Sequence, residues 1–167
     1  MHNAHPRRSE LSVPMSVVRY WPITMSLADQ VRQERYVDGQ FIEMLKAFRC
    51  SGGLARADEV VALCKRRGGP SVEILASWII AREVIAIEWR GQTWLPFFQF
   101  KQVDMSPPLG LMQVLTELNP VYDPWAVATW FGRPNEWLDE RTPIDMMSVD
   151  VDAVLGAARA DRALAHG

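Results

Sequence analysis

Residues 123–161 read DPWAVATWFGRPNEWLDERTPIDMMSVDVDAVLGAARAD, a run of helix starts and aromatic anchors packed closer together than anywhere else in the chain. Asp123 before Pro124 and Thr142 before Pro143 predict two helix starts, because proline's fixed φ and missing N–H suit the first helical turn and the preceding side chain can cap it. Asn135 follows Pro134 and precedes Glu136, which predicts a third short helix through Trp137 and Leu138. Asp150 caps the last one on this reading, with Val151, Val154, Leu155 and Ala158 at i, i+3, i+4 and i+7 as its apolar stripe.

In this order and spacing, Trp130, Pro134, Asn135, Leu138, Pro143, Ile144 and Met147 resemble the toxin-binding domain of Xre/MbcA/ParS-type antitoxins from bacterial toxin–antitoxin operons. The resemblance covers roughly the last third of the chain. It implies a compact helical module and a cognate toxin as partner, most often a RES-domain enzyme that consumes NAD or a related ADP-ribosyl-transferring toxin. Members often carry a glycine in the step before the closing helix, where this chain has Ser148-Val149-Asp150-Val151-Asp152. The resemblance also implies that the last helix and tail plug the toxin's cleft, a role that would fall to Arg159, Arg162 and residues 163–167 with His166. Trp130, Arg133, Asn135 and Trp137 complete the expected partner surface.

Two of these residues have competing readings. On the helix from Pro124, the residues Pro124, Val127, Ala128 and Phe131 share a face, which leaves Trp130 about 120° away. It either packs beneath the neighbouring helix at Trp137 or anchors a partner. Arg162 lies 11 residues after Val151, back on the apolar direction of the last helix. A charge there is a snorkelling stem or a group presented to a partner.

The front of the chain has its own layout. Residues 1–24 show no apolar periodicity before Val17-Val18 and are expected to form a disordered arm, with Met15 or Met25 as alternative starts. Helices are expected over 25–36 and 40–49, the second carrying Phe41, Met44, Leu45 and Phe48 and stopping at Ser51-Gly52-Gly53. Ala57, Val60, Val61 and Cys64 form a stripe that breaks at Gly68-Gly69-Pro70, and Ser71 can cap a helix whose stripe is Val72, Leu75, Ala76 and Ile79. Two helices joined by a glycine turn predict a helix-turn-helix. From Ile85 the period becomes two and turns at Arg90-Gly91-Gln92-Thr93, predicting a β-hairpin. Helix, turn, helix and hairpin is a winged-helix-like order, and residues 78–100 resemble the excisionase-like DNA-binding modules that precede the antitoxin domain in some relatives.

A recognition helix needs Arg, Lys, Asn or Gln on its outer face, and this one offers Glu73, Ser77 and Ile80. Base reading is therefore poor. Lys65, Arg66, Arg67, Arg82 and Arg90 could hold phosphates of operator DNA, although a basic helix end is also favourable without DNA, by about 0.3–1 kcal/mol per charge.

Composition narrows the classes. A chain of 167 residues suits one domain or two small ones and should bury about 70% of its extended surface. Residues 1–100 hold 13 Lys and Arg against 10 Asp and Glu, whereas residues 101–167 hold 5 against 10, as two parts with different partners would. Cys50 and Cys64 read as buried free thiols of a reducing cytoplasm, and no apolar run is long enough for a membrane span. His2, His5 and His166 stand at the two ends, leaving no imidazole in the body of the chain for a Ser/His or Cys/His pair or a zinc site. No phosphate loop or dinucleotide fingerprint is present. The expectation is a mainly α protein without cofactor: an arm at 1–24, a helical and winged-helix-like part at 25–104, and a toxin-binding part at 105–167. It acts by binding, as a homodimer. The alternatives are a DNA-binding regulator whose rear part only dimerises, and a carboxylate enzyme.

Overall fold

A computed structural model describes residues 26–166, with side chains through residue 165; the expected N-terminal arm and the His166 side chain lie outside the described residues. The described chain is mainly helical, with seven α-helices and a small three-stranded antiparallel sheet. Among the described residues no helix is long and apolar enough to cross a membrane.

The first helix, α1 (Leu27–Phe48), runs unbroken where the sequence suggested two. Gly39 costs a helix about 1 kcal/mol relative to alanine but neither bends it nor removes a hydrogen bond, so the packing of Phe41, Met44 and Phe48 carries the helix through. Gly52 and Gly53, both at positive φ, then turn the chain as expected. A Cβ on Gly52 would sit 3.0 Å from the Phe97 ring. Cys50 falls in the 3-10 turn Arg49–Ser51 and is exposed, against the expectation of two buried thiols; Cys64 is buried, which raises its thiol pKa by desolvation.

Strand β1 (Leu54–Arg56) was not anticipated, since three residues are too few to show a period. It pairs with β3 (Gln92–Pro96), which pairs in turn with β2 (Ile87–Trp89), giving the order β1-β3-β2. The hairpin turns on two residues, Arg90 and Gly91, both at positive φ, the conformation whose twist suits a tight hairpin. Thr93 belongs to the strand.

Helix α2 (Ala57–Arg67) ends at left-handed Gly68, and α3 (Val72–Ile80) is capped by Ser71, whose Oγ accepts from the Ile74 N–H at 3.4 Å. The inner face of α3 is rotated from the expected stripe. Leu75 is buried with Trp78 and Ile79 beside it, while Val72 and Ala76 are exposed. Burying the large indole gains more than burying the two smaller side chains.

The remaining helices are α4 (Leu109–Leu118), α5 (Pro124–Gly132), α6 (Pro143–Met146) and α7 (Val151–His166), with a 3-10 turn at Glu136–Leu138. Asp123, Asn135, Thr142 and Asp150 cap the elements they precede, as read from the sequence. Gly110 lets α7 approach α4, because a Cβ there would lie 2.5 Å from Val151 Cγ2.

The core does not divide at residue 104. The larger cluster joins Phe41, Met44 and Phe48 of α1 and Ile85 and Ile87 of the hairpin to buried residues of α4–α7. The smaller holds Val60, Cys64, Leu75, Leu95 and Met105. A fragment of residues 105–167 therefore loses five buried side chains from its main core, each worth about 2–5 kcal/mol by truncation against a total stability of about 5–15 kcal/mol. Such a fragment is expected to unfold without cooperativity on heating, followed by circular dichroism. A sharp transition at the full chain's midpoint would contradict the shared core.

Candidate partner-binding groove

Helix α5 buries Val127, Ala128 and Phe131, which leaves Trp130 beside that face, edge-on to Phe131. Arg133 ends the helix in an extended conformation, as the residue before proline must. The chain then closes on itself. Asn135 and Arg141 form a β-bridge, the Asn135 carbonyl accepts from the Glu140 N–H, and Asn135 Oδ1 accepts from the Trp137 N–H at 2.9 Å. Asp139 and Glu140 turn it through two left-handed residues, strained for glutamate and tolerated because the bridge holds both ends.

These segments meet at Asp161 on α7. Trp130 Nε1 donates to its Oδ2 at 2.6 Å, Asn135 Nδ2 to the same oxygen at 3.1 Å, and Trp137 Nε1 to Oδ1 at 3.1 Å. Trp130 and Trp137 thus meet through a shared carboxylate. Above it lies an open groove of about 810 Å³ between α1, α5, the 3-10 turn and the end of α7. Tyr36, Tyr122, Trp125, Trp130 and Trp137 supply its rings, with Arg133, Asp123, Glu136 and Asp161 as its charges. Tyr36 is 62% exposed and Trp137 56% exposed, so both rings are available at the surface.

Four expected partner residues, Trp130, Arg133, Asn135 and Trp137, therefore line one site. Arg159 and Arg162 do not. They point from α7 to α4, where Arg159 Nε and Arg162 Nη1 donate to Glu117 at 3.1 and 2.9 Å. Arg162 is half-buried and ion-paired, a fixed position that neither sequence reading anticipated. The buried stripe of α7 explains the offset: it is Val154, Ala157 and Ala158, and its next position is Asp161 rather than Arg162. A carboxylate on an apolar stripe was the signal for Asp161. The α1 contribution, Tyr36 with Gln40 donating to its hydroxyl at 3.1 Å, had none, being nearly 90 residues away in sequence.

The five candidate phosphate ligands are scattered. Lys65 and Arg66 are exposed without a hydrogen bond or ion pair among the described residues. Arg67 donates to the Gln102 carbonyl at 2.9 Å. Arg82 donates to the carbonyls of Asn119 and Tyr122 at 3.0 and 2.7 Å, and Asn119 Nδ2 returns a bond to the Arg82 carbonyl. Arg90 pairs with Asp38 through two nitrogens and stacks on Trp89, holding the Asp38 carboxyl below its usual range.

No family model, curated protein or solved structure matches this chain.

Hydrogen bonds from Arg159 and then Arg162 also lower the pKa of Glu117. The folded value lies below the unfolded one, so the stabilisation is complete above the ordinary glutamate value of about 4.3 and is lost as pH falls through the folded value. Urea midpoints should drop on acidification below about pH 4.3, and Glu117→Gln should lower the midpoint at pH 7 and flatten that acid limb. Parallel pH profiles for the two proteins would contradict this role.

Proposed function

We propose that the chain is an antitoxin of a bacterial type II toxin–antitoxin system, a homodimer that acts by binding and occluding a RES-type toxin. The observation that carries the reading is the coincidence of motif and groove. Three of the residues that carry the resemblance, Trp130, Pro134 and Asn135, line the groove, and Trp130 and Asn135 donate to Asp161 beside the exposed Trp137 ring. Exposed aromatic rings held by hydrogen bonds suit partner anchors, because little side-chain freedom is left to lose on binding. The exposed Ala163, Leu164 and Ala165 at the end of α7 fit the tail expected to reach the toxin's cleft.

The front part, β1-α2-α3-β2-β3, is proposed to be winged-helix-like, and operon autoregulation would work through it. Its outer α3 face carries Val72, Ile74, Ala76 and Ile80, which read no bases, so contact with DNA would rest on phosphates at Lys65 and Arg66. The rival reading is a DNA-binding regulator whose rear helices only dimerise.

Co-expression with the product of the adjacent gene, followed by co-purification, separates the two. The proposal expects a stable complex in which Trp137→Ala weakens binding about tenfold or more while the free protein melts normally. Removal of residues 163–167 should release toxin activity from a folded chain. Arg162→Glu tests this less cleanly, since it sets a carboxylate against Glu117. Absence of a complex, with tight operator binding whose log K barely changes with log salt, would favour the regulator. Phosphate contact alone predicts a slope near −0.9 per neutralised phosphate, reduced in a Lys65→Ala/Arg66→Ala protein.

A further inference from the structure

The charges and rings of the groove define what it receives. We infer that the groove takes a cationic side chain, an arginine or lysine flanked by apolar residues, from the partner protein; this rests on the partner-binding reading of the groove.

Three carboxylates line it, Asp123, Glu136 and Asp161, against one guanidinium, Arg133, among the described residues. The roles of the carboxylates differ. Asp161 is occupied by three N–H donors and forms the floor. Asp123 uses Oδ1 to cap α5, accepting from the Ala126 N–H at 2.8 Å, and its other oxygen makes no hydrogen bond among the described residues. Glu136 is exposed and has neither a hydrogen bond nor an ion pair among the described residues. Two carboxylates at the rim are therefore open to a ligand.

The rings favour the same sign of charge. An indole or phenol face attracts a cation, and arginine in particular stacks on it. Trp137 is tied to Asp161 through its Nε1–H, so that its exposed ring is held in place at the rim beside Glu136 in sequence. The chain around the groove reinforces the field. Residues 101–167 hold 10 acidic against 5 basic residues, and two of those basic groups, Arg159 and Arg162, are turned to Glu117 on the α4 side of α7 rather than to the groove. An approaching cation meets a net negative surface, which speeds encounter and disfavours acidic segments.

The test uses the full chain with 15N-labelled tryptophan and three capped probe peptides, Ac-Leu-Arg-Leu-NH2 and its Gln and Glu counterparts. The inference expects the Trp125 and Trp137 indole resonances to move saturably with the arginine peptide, about threefold to fivefold tighter than with the glutamine peptide. Asp123→Asn with Glu136→Gln should reduce that preference to what the rings alone contribute, without changing the melting temperature, since asparagine still caps α5. Tighter binding of the glutamate peptide would make Arg133 the recognising group and overturn the inference. Equal binding of arginine and glutamine peptides, or no saturable shift, would overturn it as well. Toxin held equally by the wild-type chain and the doubly neutral variant would sink the cation site and leave the antitoxin reading standing. Arginine selectivity in a chain that binds no toxin would sink the antitoxin reading instead.

Discussion

The Asp161 carboxylate accepts hydrogen bonds from Trp130, Asn135 and Trp137, and the architecture of the rear half depends on that convergence. The donors come from the last turn of α5, the bridged step after Pro134 and the 3-10 turn, the latter two with little regular structure of their own to fix their spacing. A charged acceptor makes each bond stronger than a neutral one, typically about 1.5–3 kcal/mol net. On the neighbouring face of α7, Arg159 and Arg162 reach Glu117 on α4. The last helix is thus clamped from two sides, by carboxylate to indole on one and guanidinium to carboxylate on the other. Val154 and Ala158 are buried along the same helix.

The same economy governs the joint between the front and rear of the chain. Arg82, at the end of α3, holds the carbonyls of Asn119 and Tyr122 that α4 and the following turn leave unpaired, and Asn119 returns the bond. Arg90 reaches Asp38 on α1 from the hairpin tip. Gln99, fully buried, accepts from the Ile85 N–H and donates to the Ile85 carbonyl, standing in for a strand neighbour. With Phe41, Phe48 and Ile87 in the main core, these contacts make α1 one wall of the groove rather than part of an independent front domain. Tyr36 of α1 thus lines the groove together with the rear helices. Positive charge that looked available for DNA is partly spent on holding the chain together.

Where the deciding interaction is local, the sequence was readable. Asp123, Asn135, Thr142 and Ser71 each cap a helix within three residues of themselves, and the Gly52, Gly53 and Gly68 turns follow from glycine's access to positive φ. Where tertiary packing decides, it was not. Helix α4 begins after Pro108 without a side-chain cap, so its Leu111, Val114, Leu115 and Leu118 stripe had no boundary device to announce it. The face of α3 turned toward Trp78, a competition between large and small side chains that spacing alone leaves open. On α7 an offset of one residue exchanged Asp161 for Arg162, because Ala157 rather than Leu155 is fully buried. The groove itself joins residues from Tyr36 to Leu164, and no local pattern spans that distance.

The central claim is that Asp161 holds the groove through direct hydrogen bonds from side chains 24 to 31 residues away. A double-mutant cycle of Asp161→Ala and Trp130→Phe, read by urea unfolding of the full chain, measures this most directly. The account predicts a coupling energy of about 1–3 kcal/mol, since Trp130→Phe removes the donor and should cost little once the acceptor is gone. Losses that add to within about 0.5 kcal/mol would mean that the two side chains do not share a bond, and would contradict it.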